Sequence, residues 1–97
     1  MDWSSVAFEW DERKSNLNEA KHGLGFRTVS LALSSEPFVH FPSRYEQEDR
    51  HVAIVRIENI AFAVIFTRRG DKIRVISARR ARREERRIFE IAFGAGN

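Results

Sequence analysis

Ile60–Phe66 is the longest unbroken apolar run in the chain, at 7 residues. A membrane-spanning helix needs roughly 18 or more, so the run reads as a strand at the centre of a sheet. Turn residues bound it, Glu58-Asn59 on one side and Arg69-Gly70-Asp71 on the other. The remaining chain must pack around that strand, and 97 residues predict one domain spanning 1–97. Apolar residues at 42% suffice for one core. Charged residues at 32% are mixed in sign, which argues against a disordered tail. Cysteine is absent, so a disulfide framework, a thiol nucleophile and a cysteine-based zinc site are all excluded. The opening Met-Asp-Trp-Ser-Ser has neither the basic nor the apolar stretch of a signal peptide. The expectation is a cytoplasmic protein without a membrane segment.

The flanking pattern fills in the elements. Val6, Phe8 and Trp10 alternate with polar or small residues and predict a short strand. Asp11 is placed to cap a polar helix over Glu12–His22, with Leu17, Ala20 and Lys21 on one face. Lys21-His22-Gly23 stops it, with cations in the last turn followed by a glycine. Phe26, Val29, Ala32 and Leu33 predict a second helix over Phe26–Ser34, broken by Glu36-Pro37. Strands follow at Phe38–Phe41, Arg50–Ile57, Ile60–Thr67 and Lys72–Ser77, with a polar loop at 43–47. From about Ala81 the pattern is helical: Ile88, Phe89 and Ala92 share a stripe, and Arg80–Glu84 and Arg86–Glu90 sit four apart. The order β-α-α-β-β-β-β-α predicts an α+β fold, an antiparallel sheet with helices grouped on one side.

Charge is distributed unevenly. Arginine supplies 14 of the 17 basic residues. Residues 1–66 carry net −3 and residues 67–97 carry net +6. Arginine forks match phosphate geometry, so a polyanion is one partner this segment suits. A solvated helix face with internal ion pairs is the other reading. There is no glycine-rich phosphate loop, and His22, His40 and His51 lack metal-ligand spacing, so no metal or cofactor is expected.

Three clusters carry a resemblance. The first is Phe8-Glu9-Trp10-Asp11 with Lys14, Asn18, Lys21-His22-Gly23 and Phe26. The second is Glu48-Asp49-Arg50. The third is Thr67-Arg68-Arg69-Gly70, then Arg74-Val75-Ile76-Ser77-Ala78-Arg79-Arg80-Ala81 and Glu85-Arg86. Together they resemble the BrnT family, ribonuclease toxins of bacterial type II toxin–antitoxin systems. The resemblance implies a RelE-like fold, RNA cleavage that inhibits translation, and neutralisation by a BrnA-like ribbon-helix-helix antitoxin. Operator DNA would be bound only through that complex. The chain departs from the family pattern at Val55-Arg56, at Phe89 where a tyrosine is common, and at Arg82 where a threonine would complete a capping box with Glu85.

Metal-free RNA cleavage needs a base for the 2′-hydroxyl, an acid for the leaving 5′-oxygen, and cations for the charge that builds on phosphate. The catalytic candidates are Lys21, His22, Arg68, Ser77, Arg79 and Arg80, and the RNA-binding candidates are Arg69, Arg74, Arg82 and Arg83. Bland roles stand beside these: Lys21 and His22 as helix-end cations, Ser77 as a turn cap, and Arg82, Arg83, Arg86 and Arg87 as a solvated face. Tyr45 is the one aromatic in a polar loop that could stack on a base. Glu9 and Glu48 are possible bases with no sequence link to the arginines. The same arginines would also suit a non-catalytic RNA-binding or corepressor module.

Overall fold

In the computed structural model, which describes residues 2–43 and 49–95, the apolar run becomes the central strand of a five-stranded sheet. A 3-10 turn at Trp3–Ser5 precedes β1 (Ala7–Glu9), α1 (Glu12–His22), α2 (Phe26–Ser35) and β2 (Phe38–Pro42). Then come β3 (Arg50–Ile57), β4 (Ile60–Arg69), β5 (Lys72–Arg80) and α3 (Arg83–Phe93). Tyr45 and Glu48 lie outside the described residues.

The α+β class is as expected, and two details of the layout differ. The sheet order is β1-β5-β4-β3-β2, and β1 runs parallel to β5, so the sheet is mixed. The first and last strands are neighbours, and only a long crossover joins strands that run the same way. The helices also divide between the two faces. Leu24, Phe26, Val29 and Leu33 pack on the face carrying Ala53, Val55, Val64 and Val75. Phe89 of α3 packs on the opposite face with Val52, Ile54 and Ala63. The physical reason lies in β3 and β4. Val52, Ala53, Ile54 and Val55 are consecutive and all buried, so both faces need a cover.

Local signals account for the ends of α1. The Asp11 side chain accepts from Lys14 N–H, and Gly23 takes φ 74° to close the helix. Its inward side is polar. Leu17 is 63% exposed and Ala20 is exposed, while Ser15 and Asn18 are buried. This helix is held by polar side chains. Ser15 Oγ accepts from Phe26 N–H at 2.9 Å, which positions the start of α2. Asn18 donates to the Leu24 carbonyl at 2.7 Å and accepts from Ala78 N–H at 3.2 Å, which ties α1 to the free edge of β5.

Candidate polyanion-facing site

Paired strands set side chains at partner positions on one face. On the face opposite α1 and α2, registers align Glu9, Arg74, Thr67 and Arg50 in one cross-strand row. The next row is Phe41, Val52, Ile65 and Ser77, and the third is Val39, Ile54, Ala63 and Arg79. A bulge makes this arrangement possible. Arg74 and Ser77 are three apart and would point to opposite faces in a regular strand. The register shifts between Ile65 and Phe66, whose partners are Ser77 and Val75, which leaves Ile76 unpaired and returns Ser77 to the face of Arg74.

Two carboxylates organise the arginines. Glu9 Oε2 accepts from Arg74 Nη1 at 2.9 Å and stands 3.5 Å from Arg69 Nη1. The Arg74 hydrogen bond, with the charge of Arg69 behind it, holds the Glu9 carboxyl below the ordinary glutamate range. Glu85 receives both prongs of Arg79, Nη1–Oε1 at 2.7 Å and Nη2–Oε2 at 3.0 Å. Burial pushes the Glu85 carboxyl up, but the Arg79 fork and the Arg82 N–H outweigh it and leave the group lowered. Reciprocally, Glu85 raises Arg79, which stays charged. Glu85 also accepts from Arg82 N–H at 2.7 Å, so it caps α3 from inside. Arginine has no acceptor, so only this half of a capping box forms. The pairs expected four apart, Arg80–Glu84 and Arg86–Glu90, do not form. Glu85 pairs with Arg79, and Arg86 donates to the Ala81 carbonyl.

The sequence candidates separate in space. Arg74, Ser77 and Arg79 share the face just described, and Arg69 joins them through Glu9. Arg68 pairs with Ile73 and Arg80 with Phe62, positions on the face that carries the α2 core. Lys21 and His22 follow Asn18 by three and four residues, so they occupy the side of α1 that reaches the β5 edge at Ala78. Lys21 is exposed and His22 half-buried. Arg82 and Arg83 are exposed at the start of α3. Three residues that the sequence did not connect to the site now belong to it: Glu9, Glu85 and Thr67, whose Oγ1 donates to the Asp49 carbonyl at 2.6 Å. Glu9 and Arg74 are 65 positions apart, and no local signal could join them.

His40 and His51 lie on the other face, in an aromatic cluster. His51 stacks on Phe66 with centroids 5.3 Å apart, and Trp3 meets Phe38 and Phe66 edge-on. Burial, with His51 and Arg68 nearby, lowers the His40 imidazole below its usual value. Among the described residues no cluster of three or more His, Asp or Glu side chains could hold a metal ion. No helix among them is long and apolar enough to cross a membrane.

The fold and this face define an α+β protein of a mixed five-stranded sheet, with arginines presented in rows on one side. The sequence pattern of one family, described as "Ribonuclease toxin, BrnT, of type II toxin-antitoxin system", matches residues 10–85. The chain belongs to that family. Among curated proteins, none matches the chain.

Proposed function

We propose that this toxin is a metal-independent endoribonuclease that inhibits translation in the cytoplasm, and that the face bearing Arg74 binds its RNA. One observation carries the reading: a bulged strand brings Arg74, Ser77 and Arg79 to one face, where Glu9 and Glu85 hold two of the guanidiniums in fixed positions. Preorganised cations are what phosphoryl chemistry at RNA requires, because charge accumulates on the phosphate as the 2′-hydroxyl attacks. In this reading Arg74 and Arg69 hold the scissile phosphate and Ser77 orients it. Lys21 and His22, on the neighbouring edge, supply the proton transfers. Arg82 and Arg83, exposed at the start of α3, contact the flanking RNA backbone, and Arg68 and Arg80, on the other face of the sheet, take no part in it. A BrnA-like ribbon-helix-helix antitoxin neutralises the toxin, and the complex is what meets operator DNA.

A second reading has its own support. The Arg79 fork is occupied by Glu85, as suits a non-catalytic RNA-binding or corepressor module in which arginines are braced for contact alone. One experiment separates the two. Labelled RNA is incubated with antitoxin-free protein in excess EDTA, and the product ends are analysed. Fragments ending in 2′,3′-cyclic phosphate are expected. Absence of cleavage, with free RNA and with translating ribosomes alike, favours the module.

A further inference from the structure

Five large apolar side chains are exposed among the described residues, and three of them are on α3: Ile88 at 42%, Ile91 at 78% and Phe93 at 45%. The setting of α3 determines which way they look. Phe89 points into the sheet, with the Arg56 guanidinium 4.7 Å from its ring centroid. Arg86 and Glu90 line a hollow with Arg56, Asn59 and Ala61, and Phe93 lines a second one with Pro37 and Glu58, both at the β3–β4 turn end. By its 100° step, Ile88 lies on the other flank of the helix, and Ile91 lies on its outer side, nearly opposite Phe89. The Ile88 flank looks along the sheet toward the row of Phe41, Val52, Ile65 and Ser77. Phe41 and Ile65 are only partly buried. An apolar ledge therefore runs from the outer side of α3 down to the sheet. Beyond it, on the same face, come Arg74, Arg69 and Lys72, with Glu9 as the single acid paired among them.

We propose that this ledge is the docking surface for the antitoxin, and that the segment it receives is amphipathic and acidic. The inference rests on the toxin–antitoxin reading above and adds to it the place and chemistry of capture. A segment lying across the ledge buries aliphatic side chains on Ile88, Ile91 and Ile65 and presents carboxylates to Arg74, Arg69 and Lys72. It covers the basic rows as it binds, so capture and neutralisation are one event. The ledge favours a polypeptide over RNA because it is aliphatic apart from Phe41, and nucleobases bind by stacking on aromatic planes. It disfavours a second copy of this chain, because the copy would bring its own arginine rows against these, on a chain of net +3.

The test is an Ile88→Ser/Ile91→Ser double variant, which alters only exposed positions and leaves the core intact. Binding of the antitoxin encoded with this chain is measured by calorimetry, and RNA cleavage is measured separately. Expected is a loss of antitoxin affinity of about 10-fold or more, failure of co-expressed antitoxin to restore growth, and cleavage within about twofold of the parent. Arg69→Glu/Lys72→Glu is expected to weaken the complex as well and to flatten its salt dependence. Unchanged antitoxin affinity in the serine variant overturns the proposal, as does an antitoxin that ignores the parent protein. RNA binding that falls in step with antitoxin binding assigns the ledge to RNA. A parent dimer that the serine variant makes monomeric assigns it to a second copy. If the protein cleaves no RNA, the ribonuclease reading fails while the calorimetry still decides the ledge.

Discussion

Arg79 and Glu85 form a two-pronged ion pair, 2.7 and 3.0 Å, that bolts the last strand to the first turn of the last helix. The side chains are only 26% and 13% exposed, so the pair is shielded more than a surface bridge. Its geometry also uses both terminal nitrogens of the Arg79 fork, the ones that would otherwise grip a phosphate. Arg79 is thereby a residue that positions α3 over the sheet, and Arg74, with a single hydrogen bond to a carboxylate, keeps more of its fork for a ligand.

Glu85→Ala is expected to destabilise the fold by about 1–2 kcal/mol, since it removes charge-assisted bonds from a partly shielded site and the cap on Arg82 N–H. The sign with pH follows from the lowered native carboxyl. A depressed native value means the unfolded chain binds the proton more readily, so the contribution is complete above the ordinary glutamate range. It is lost as pH falls through the lowered native value. Urea unfolding from about pH 7 down to about pH 3 is expected to show a shallower acid decline in Glu85→Gln than in the parent. Equal slopes would mean the pair contributes nothing.

Asn18 holds two buried backbone groups, Leu24 C=O and Ala78 N–H. Asn18→Ala is expected to cost about 2–3 kcal/mol, because a buried donor and a buried acceptor are both left unsatisfied. Asn18→Asp keeps the acceptor and loses the donor, and sets a carboxylate against a carbonyl. It should be no milder. Hydrogen exchange at the Ala78 amide reports the defect directly: faster exchange in Asn18→Ala is expected, and unchanged protection would show that water or a shifted α1 replaces the bond.

What could be read along the chain was local. Glu12–His22, Arg50–Ile57 and the Glu58-Asn59 turn all form as their residues suggest, because caps, alternation and turn residues act over a few positions. The partners of those elements were not legible. Nothing in Ala7-Phe8-Glu9 says that it pairs with residues 72–74, and nothing in Val75-Ile76-Ser77 says that Ile76 drops out of the ladder. Those two facts bring Glu9 to Arg74 and Ser77 to the same face. The side on which α3 lies was visible in principle, since four consecutive buried residues in β3 call for a cover on each face. The polar interior of α1 was not, because Ser15 and Asn18 are inward-facing for the bonds they make and not for their hydropathy.

The two sheet faces give the sharpest functional prediction. Arg74 and Arg68 are neighbours in composition and in sequence region, yet register sets them on opposite sides of the sheet. Each phosphate that a protein cation neutralises on single-stranded RNA adds about 0.7 to the steepness with which log affinity falls with log salt. Arg74→Ala should therefore weaken RNA binding, flatten the salt slope by about 0.7, and cut cleavage by about 100-fold or more if the guanidinium stabilises the transition state. Arg68→Ala should leave cleavage within about threefold, because its side chain is exposed beside His40 on the face away from Ser77. The comparison is made with one labelled RNA across a salt series, and each variant's unfolding midpoint is checked first. If Arg68→Ala proves the more damaging, the reacting centre lies on the histidine-bearing face, and the roles given to Arg74 and Ser77 pass to that cluster.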